Sequence, residues 1–178
     1  MVRLFFEQAG FLVTTNLPYQ VKGKIQGITG TSDLDLVVSN PKTKKAGSHH
    51  LPFQLAVDHL AWIKAATVEV KGWHTEEIVP SLIASRDLLN FTRTEAKRAA
   101  KKLLGTNSFR QILVVSRLTE GRTRERSIQL LKDAGVNHVI EFKTVVDALV
   151  SSVEEQRYYR DSEVMQTIRV LSIYKELQ

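Results

Sequence analysis

Thr67-Val68-Glu69-Val70-Lys71-Gly72-Trp73 is the stretch from which the rest of the chain is read. Val68 and Val70 alternate with Glu69 and Lys71, and β-branched Thr67, Val68 and Val70 suit a pleated strand. In a strand, residues i and i+2 stand on one face, roughly 6.6 Å apart. Glu69 and Lys71 therefore share a face while the valines anchor the other. A carboxylate and an ammonium presented together, just before Gly72 ends the strand, suit the holding of a metal ion and a phosphate. On an ordinary amphipathic strand the same two residues are no more than an ion pair.

Working outward, the second informative stretch is Thr31-Ser32-Asp33-Leu34-Asp35-Leu36-Val37-Val38. Leu34, Leu36 and Val38 alternate with Asp33, Asp35 and Val37, which puts both aspartates on one face of a strand. Acids at the head of an apolar run are costly if buried without partners. Either that end is wet or the aspartates coordinate something. Between the two stretches, residues 52–66 read as a helix with Pro52 near its first turn, so the long separation of Asp35 from Glu69 holds an inserted helix.

Upstream, residues 2–9 read as a short helix that buries Val2, Phe5, Phe6 and Ala9 and is stopped by Gly10. Glu7 lies at the margin of that apolar face. Residues 11–15 read as a strand that Asn16-Leu17-Pro18 interrupts, and residues 19–28 read as irregular, with Gly23 and Gly27 as punctuation. Downstream, helices are expected over 75–89, with Thr75 as N-cap, and over 94–104, ended by Gly105. Residues 109–115 and 136–142 read as strands, and residues 124–134, 144–156 and 162–177 as helices. Alternating strands and helices in this half argue for parallel pairing. No repeat, low-complexity tract or linker divides the chain, and residues 1–178 read as one mixed α/β domain.

Composition bounds the function. A chain of 178 residues buries a real core without staples, and its 43% apolar and 25% charged residues are those of a globular protein. With no cysteine there is no thiolate metal site and no thiol nucleophile. No apolar run reaches the roughly 18 residues of a membrane span, and Glu7 comes too early for a signal peptide. An intracellular, cytoplasmic protein without a membrane partner is the expectation. The net charge is +6 and the pI about 9.6, a balance that suits a polyanionic partner. The positive charge is clustered: Lys42, Lys44 and Lys45 in one loop, Arg93, Lys97, Arg98, Lys101 and Lys102 along one helix, Arg117, Arg122, Arg124 and Arg126 along another stretch. The His49-His50 pair reads as loop.

An acid on the first helix, an aspartate on one strand, Glu-x-Lys on the next and then a helix is an order the chain shares with a known group. On Asp33-Leu34-Asp35-Leu36-Val37-Val38 and Val68-Glu69-Val70-Lys71-Gly72, the chain resembles the PD-(D/E)XK, or restriction-endonuclease-like, nuclease superfamily. The resemblance covers about residues 2–90, and the strand–helix–strand–helix run of 91–178 is compatible with the same core. It implies a three-layer α/β sandwich with a central mixed β-sheet flanked by helices. It further implies that Asp35 and Glu69 are metal ligands, with Val70 adding its carbonyl, that Lys71 orients the attacking water, and that Glu7 is an accessory acid. Asp33 competes with Asp35 for its role. The metal implied is Mg²⁺, with Mn²⁺ able to substitute, and the partner is DNA, contacted by Lys42, Lys44, Lys45, Arg93, Lys97 and Lys101. No proline precedes Asp35 and no glutamine-tyrosine motif follows Lys71, both departures from common family patterns.

The chemistry stands beside the resemblance. Mg²⁺ takes hard oxygen ligands and keeps several waters, so two carboxylates suffice. A bound ion lowers the pKa of its water, and a lysine beside it adds positive charge where negative charge develops. Three function classes follow: a metal-dependent deoxyribonuclease, a catalytically silent nucleic-acid-binding module of the same fold, and a partner-binding α/β protein whose acids are ion pairs on a wet sheet edge. A homodimer suits the cutting of both strands of a duplex. No nucleophile elbow, phosphate loop or zinc-ligand pattern offers a rival enzyme class.

Overall fold

Residues 65–71 do form a strand, and it lies at the centre of the sheet. The structure, a computed structural model, describes residues 1–22, 29–43, 50–71, 77–84, 86–154 and 163–176. Helix α1 (Val2–Gln8) leads into strands β1 (Leu12–Lys22), β2 (Thr29–Ser39) and β3 (Ala65–Lys71). A short strand β4 (Glu77–Ile78) and helix α2 (Pro80–Ala84) precede α3 (Thr94–Leu104). Strands β5 (Arg110–Val115) and β6 (Arg117–Leu118), helix α4 (Gly121–Asp133) and strand β7 (His138–Glu141) follow. Helices α5 (Phe142–Glu154) and α6 (Glu163–Glu176) come last.

The main sheet has the order β1-β2-β3-β5-β7. β1 with β2 and β2 with β3 are antiparallel, whereas β3 with β5 and β5 with β7 are parallel. The five-strand sheet is thus mixed, with helices on both faces, and the mixed α/β expectation holds. One apolar layer joins Phe5 and Phe6 of α1, Val145 and Leu149 of α5, and Met165 and Ile168 of α6 to Leu36, Val38, Val68, Ile112 and Ile140 of the sheet. The opposite layer joins Ile83 of α2, Phe91, Ala96 and Ala100 of α3, and Leu131 of α4 to Val37, Leu113, Val115 and Val139. Alternation along β3 therefore sends Val68 to the first layer and Glu69 to the second.

Several local readings are corrected. Residues 52–66 hold no α-helix: only a 3-10 turn, Val57–Trp62, forms there. The reason is tertiary. Gln54 bridges Val139 on β7, the Leu55 N–H donates to the Val139 carbonyl (2.8 Å) and the Val139 N–H to the Phe53 carbonyl (2.7 Å). Sheet pairing along the β7 edge overrides helical spacing, and Ala65 and Ala66 join β3. The helix expected over 75–89 is shorter. Thr75, its expected N-cap, lies outside the described residues; Glu77 and Ile78 pair with Arg117 and Leu118, and α2 begins at Pro80, where a missing N–H costs nothing. A 3-10 stretch, Arg86–Thr92, follows.

Strand β1 is not interrupted at residues 16–18 but runs on to Lys22, paired with β2 throughout save at Asn16. Pro18 is tolerated because β1 is an edge strand. Helix α3 keeps the bounds read from sequence, with Gly105 in the left-handed region (φ 65°) closing it. Helix α4 starts three residues earlier than the expected 124, at Gly121, and α5 starts at Phe142, which ends β7 at Glu141. Among the described residues, no helix is long and apolar enough to cross a membrane.

Leu113, fully buried on β5, fixes the second layer to the sheet, whereas Leu12 is 66% exposed. Leu113→Ala is expected to cost about 3 kcal/mol by urea denaturation. Leu12→Ala is expected to cost less than about 0.5 kcal/mol in the same measurement.

Candidate active site

Strands β2 and β3 pair only from Leu36 opposite Val68 to Ser39 opposite Ala65. Beyond that point the two strands fork. The Val70 N–H, which a continuing ladder would have paired, donates instead to Asp35 Oδ2 at 2.7 Å. A backbone donor at the edge of a core needs an acceptor, and a carboxylate is a strong one. Asp35 thereby ties the end of β2 to the central strand.

Glu69 lies next to this tie, 6% exposed on the face opposite Val68. Lys71, two residues on, reaches it as the alternation predicts: Lys71 Nζ lies 2.5 Å from Glu69 Oε1. The second oxygen, Oε2, is buried without a hydrogen-bond partner. Burial pushes the Glu69 carboxyl up to about 7 from an ordinary 4.5. Lys71 pulls the value down through its hydrogen bond and charge, while the charges of Asp35 and then Asp33 push it further up. Asp35, Asp33, Glu69 and Lys71 thus form one electrostatic neighbourhood. The aspartates do not, however, share a face by simple alternation. Leu34 packs in the second layer and Leu36 in the first, so the side of the strand changes at Asp35, and Asp33 is exposed.

Sequence reasoning missed Tyr19. It lies in a segment read as irregular, yet it pairs with Ser32 across the hairpin and is buried in the second layer. Its hydroxyl is buried without a hydrogen-bond partner. Burial raises the phenol above its usual value; Ser32, short of a hydrogen bond by strict geometry, draws it down. Glu69 and Asp33 raise it and Arg93 lowers it, so Arg93, immediately before α3, shares the same neighbourhood. Reading β1 through to residue 22 would have brought Tyr19 into view.

The other expected site residues are dispersed. Glu7 is on α1, in the layer opposite Glu69, and pairs with Arg3 (Arg3 Nε to Glu7 Oε1 2.7 Å). It does not join Asp35 and Glu69, because α1 packs its phenylalanines onto the Val68 face of the sheet. Lys97 and Lys101 are exposed on α3, in the Glu69 layer; Lys42 is exposed in the turn beyond the far end of β2. Lys44, Lys45 and His49 lie outside the described residues. Of the third basic cluster, Arg117 pairs with Glu77 (2.5 Å), and Arg124 with Glu141 (3.8 Å) and with the Gln54 amide. Arg122 and Arg126 are exposed. Among the described residues, no group of three or more His, Cys, Asp or Glu stands close enough to hold a metal ion. No protein-family model, curated protein or solved structure matches the chain.

A glutamate whose folded-state pKa lies above its unfolded value binds its proton more tightly when folded. Its contribution to stability is highest below pH 4.5, falls as pH rises toward about 7, and is constant above. Glu69→Gln is therefore expected to stabilise the metal-free protein at pH 8 relative to wild type and not at pH 4.5. Denaturant titrations across this range check it, and a wild-type advantage at pH 8 is the contrary result.

Proposed function

We propose that the chain is a metal-dependent nuclease of restriction-endonuclease-like fold that hydrolyses DNA phosphodiester bonds. The observation that carries the reading is the fork: Asp35 on β2 bound to the Val70 amide, beside a buried Glu69 paired with Lys71. The mixed sheet between two helical layers, with α1, the Asp35 strand, the Glu-x-Lys strand and a helix in that order, supports the finer fold assignment.

The donor set fits a hard divalent cation. Glu69 Oε2 is a buried carboxylate oxygen with no partner, a state that costs free energy until a cation or donor meets it. Asp35 and Glu69 would hold Mg²⁺ or Mn²⁺, with the Val70 carbonyl as a further oxygen. When bound, the ion supplies a water of lowered pKa and positive charge beside the phosphoryl oxygens. The other roles belong to the chain. Lys71, paired with Glu69, orients the water and places positive charge where the pentacoordinate phosphorus of the transition state gathers negative charge. The Val70 N–H keeps the Asp35 carboxylate fixed, so its other oxygen is presented without rotation. Arg93, immediately before α3, and Lys97 and Lys101 on that helix, which packs in the Glu69 layer, grip the phosphate backbone without reading bases.

One observation favours a second reading, a silent nucleic-acid-binding module of the same fold. Glu7 stays with Arg3, and among the described residues no third acid completes a metal-holding group.

Incubation of labelled plasmid and branched DNA with Mg²⁺ or Mn²⁺ separates the two. Wild type and Glu7→Ala are expected to cut equally, and Glu69→Ala, Lys71→Ala and Asp35→Asn to lose at least about a hundredfold in rate. Equal cutting by wild type and Glu69→Ala sinks the site; binding without cutting by wild type moves the assignment to the silent module. For the basic helix, Lys97→Ala and Lys101→Ala are each expected to weaken DNA binding and to lower the slope of log K against log salt by about one. An unchanged slope removes α3 from the interface.

A further inference from the structure

The β1–β2 ladder contains one interruption. Its pairs run Leu12–Ser39, Val13–Val38, Thr14–Val37 and Thr15–Leu36, then resume at Leu17–Leu34 and continue to Lys22–Thr29. The two residues passed over, Asn16 and Asp35, stand opposite each other in the register. Asn16 has φ 52°, the one positive φ at a residue other than glycine among those described. A left-handed residue inside a strand is uncommon, and asparagine tolerates it better than residues with larger or branched side chains.

The interruption changes which way both strands face. On β1, Val13 packs against the first layer, whereas Leu17, Tyr19 and Val21 pack in or against the second, though all are odd-numbered. On β2, Leu36 and Val38 are in the first layer and Leu34 in the second. A regular strand keeps i and i+2 on one face, so each strand turns over at this point. It is also where β2 leaves β3, since their ladder ends at Leu36–Val68. The outer hairpin turns away to cover α3 with Tyr19 and Leu34, and the Asp35 carboxylate meets the Val70 N–H.

We infer that Asn16 is a positioning residue: its left-handed backbone turns the β1–β2 hairpin over at Asp35 and so holds the Asp35 carboxylate on the Val70 amide beside Glu69. Asn16 is exposed, so its contribution is its backbone conformation and not the burial of its side chain. Residue types that accept positive φ should replace it; a β-branched residue should not. The inference rests on the nuclease reading only for its cleavage readout.

The test is amide exchange by NMR on the ¹⁵N-labelled, metal-free full chain, comparing wild type with Asn16→Gly, Asn16→Asp, Asn16→Ala and Asn16→Val. Asn16→Gly and Asn16→Asp are expected to keep the Val70 amide as slow as in wild type. In Asn16→Val the Val70 amide is expected to exchange about tenfold faster or more, while the amides of Ile112, Leu113 and Val114 keep their protection. If Asn16→Val fails to fold, Asn16→Ala carries the comparison, since it adds no branch at Cβ. Unchanged Val70 exchange in both Asn16→Val and Asn16→Ala overturns the inference; so does a loss in Asn16→Gly as large as in Asn16→Val, which would place the effect in the side chain. On a DNA substrate, Asn16→Val is expected to lose about tenfold or more in kcat with KM unchanged, and Asn16→Gly to restore it. Failure of wild type to cut any substrate removes the nuclease reading and leaves the Val70 exchange result to decide the role of Asn16.

Discussion

A backbone N–H at the end of a buried strand must find an acceptor, and at Val70 it finds a side chain. That substitution of carboxylate for carbonyl lets β2 part from β3 without leaving a central strand unsatisfied. The parting makes room for Glu69 and Lys71 at the end of β3, and it frees the outer hairpin to fold over α3. Had the ladder continued past Leu36, a β2 carbonyl would have met the Val70 N–H and the Asp35 carboxylate would not have been drawn to it. The geometry of the site follows from where one ladder stops.

Burial sets the electrostatics once the fork exists. Coulombic attraction between Glu69 and Lys71 is offset by the desolvation of both, and a third and fourth charge at Asp35 and Asp33 oppose ionisation of the glutamate. Two arrangements relieve the repulsion: a proton on Glu69 or a cation between the carboxylates. The orphaned Oε2 is consistent with the second, because a purely structural ion pair gains nothing from leaving one oxygen buried and unmet. On the same face Gln111 finds the Phe91 carbonyl (3.1 Å), whereas Thr67 Oγ1, two residues before Glu69 on the same strand, is buried without a partner as Glu69 Oε2 is.

Much of this was legible in the residues, for reasons of period. The alternation of 67–71 places Glu69 and Lys71 together, and the contact between them is the one that alternation requires. The 94–104 helix is read to the residue because a clean apolar stripe, Ala96 and Ala100, ends at a glycine. What was not legible depends on partners distant in sequence. Residues 52–56 carry helical spacing but pair with β7, some eighty positions on, and no local signal announces it. The turn at Asn16 and Asp35 breaks the alternation that placed both aspartates on one face. A local pattern cannot reveal a left-handed residue in mid-strand, although an asparagine before Leu-Pro is a hint that was read as an ending. Tyr19 was lost with it, and Glu7 was misplaced because a helix margin says nothing about which layer the helix joins.

The cost of the arrangement bears on how it is used. Glu69 sits where its charged form is disfavoured, on a strand that pairs with β5 through Lys71 and that Asp35 ties to β2 at the Val70 amide. A strained carboxylate on a mobile loop would relax toward solvent and lose its perturbation. On a central strand it cannot, so the unfavourable free energy persists until a proton or a ligand of opposite charge removes it. Positive charge is placed beside it by Lys71 within the strand, while Arg93, immediately before α3, acts on the neighbouring Tyr19. Lys71 offsets the neighbouring acids only in part, since burial and the charges of Asp35 and Asp33 still push the Glu69 carboxyl up. Acids crowded on a central strand, with one lysine beside them, favour the uptake of positive charge, whether a proton on Glu69 or a cation between the carboxylates.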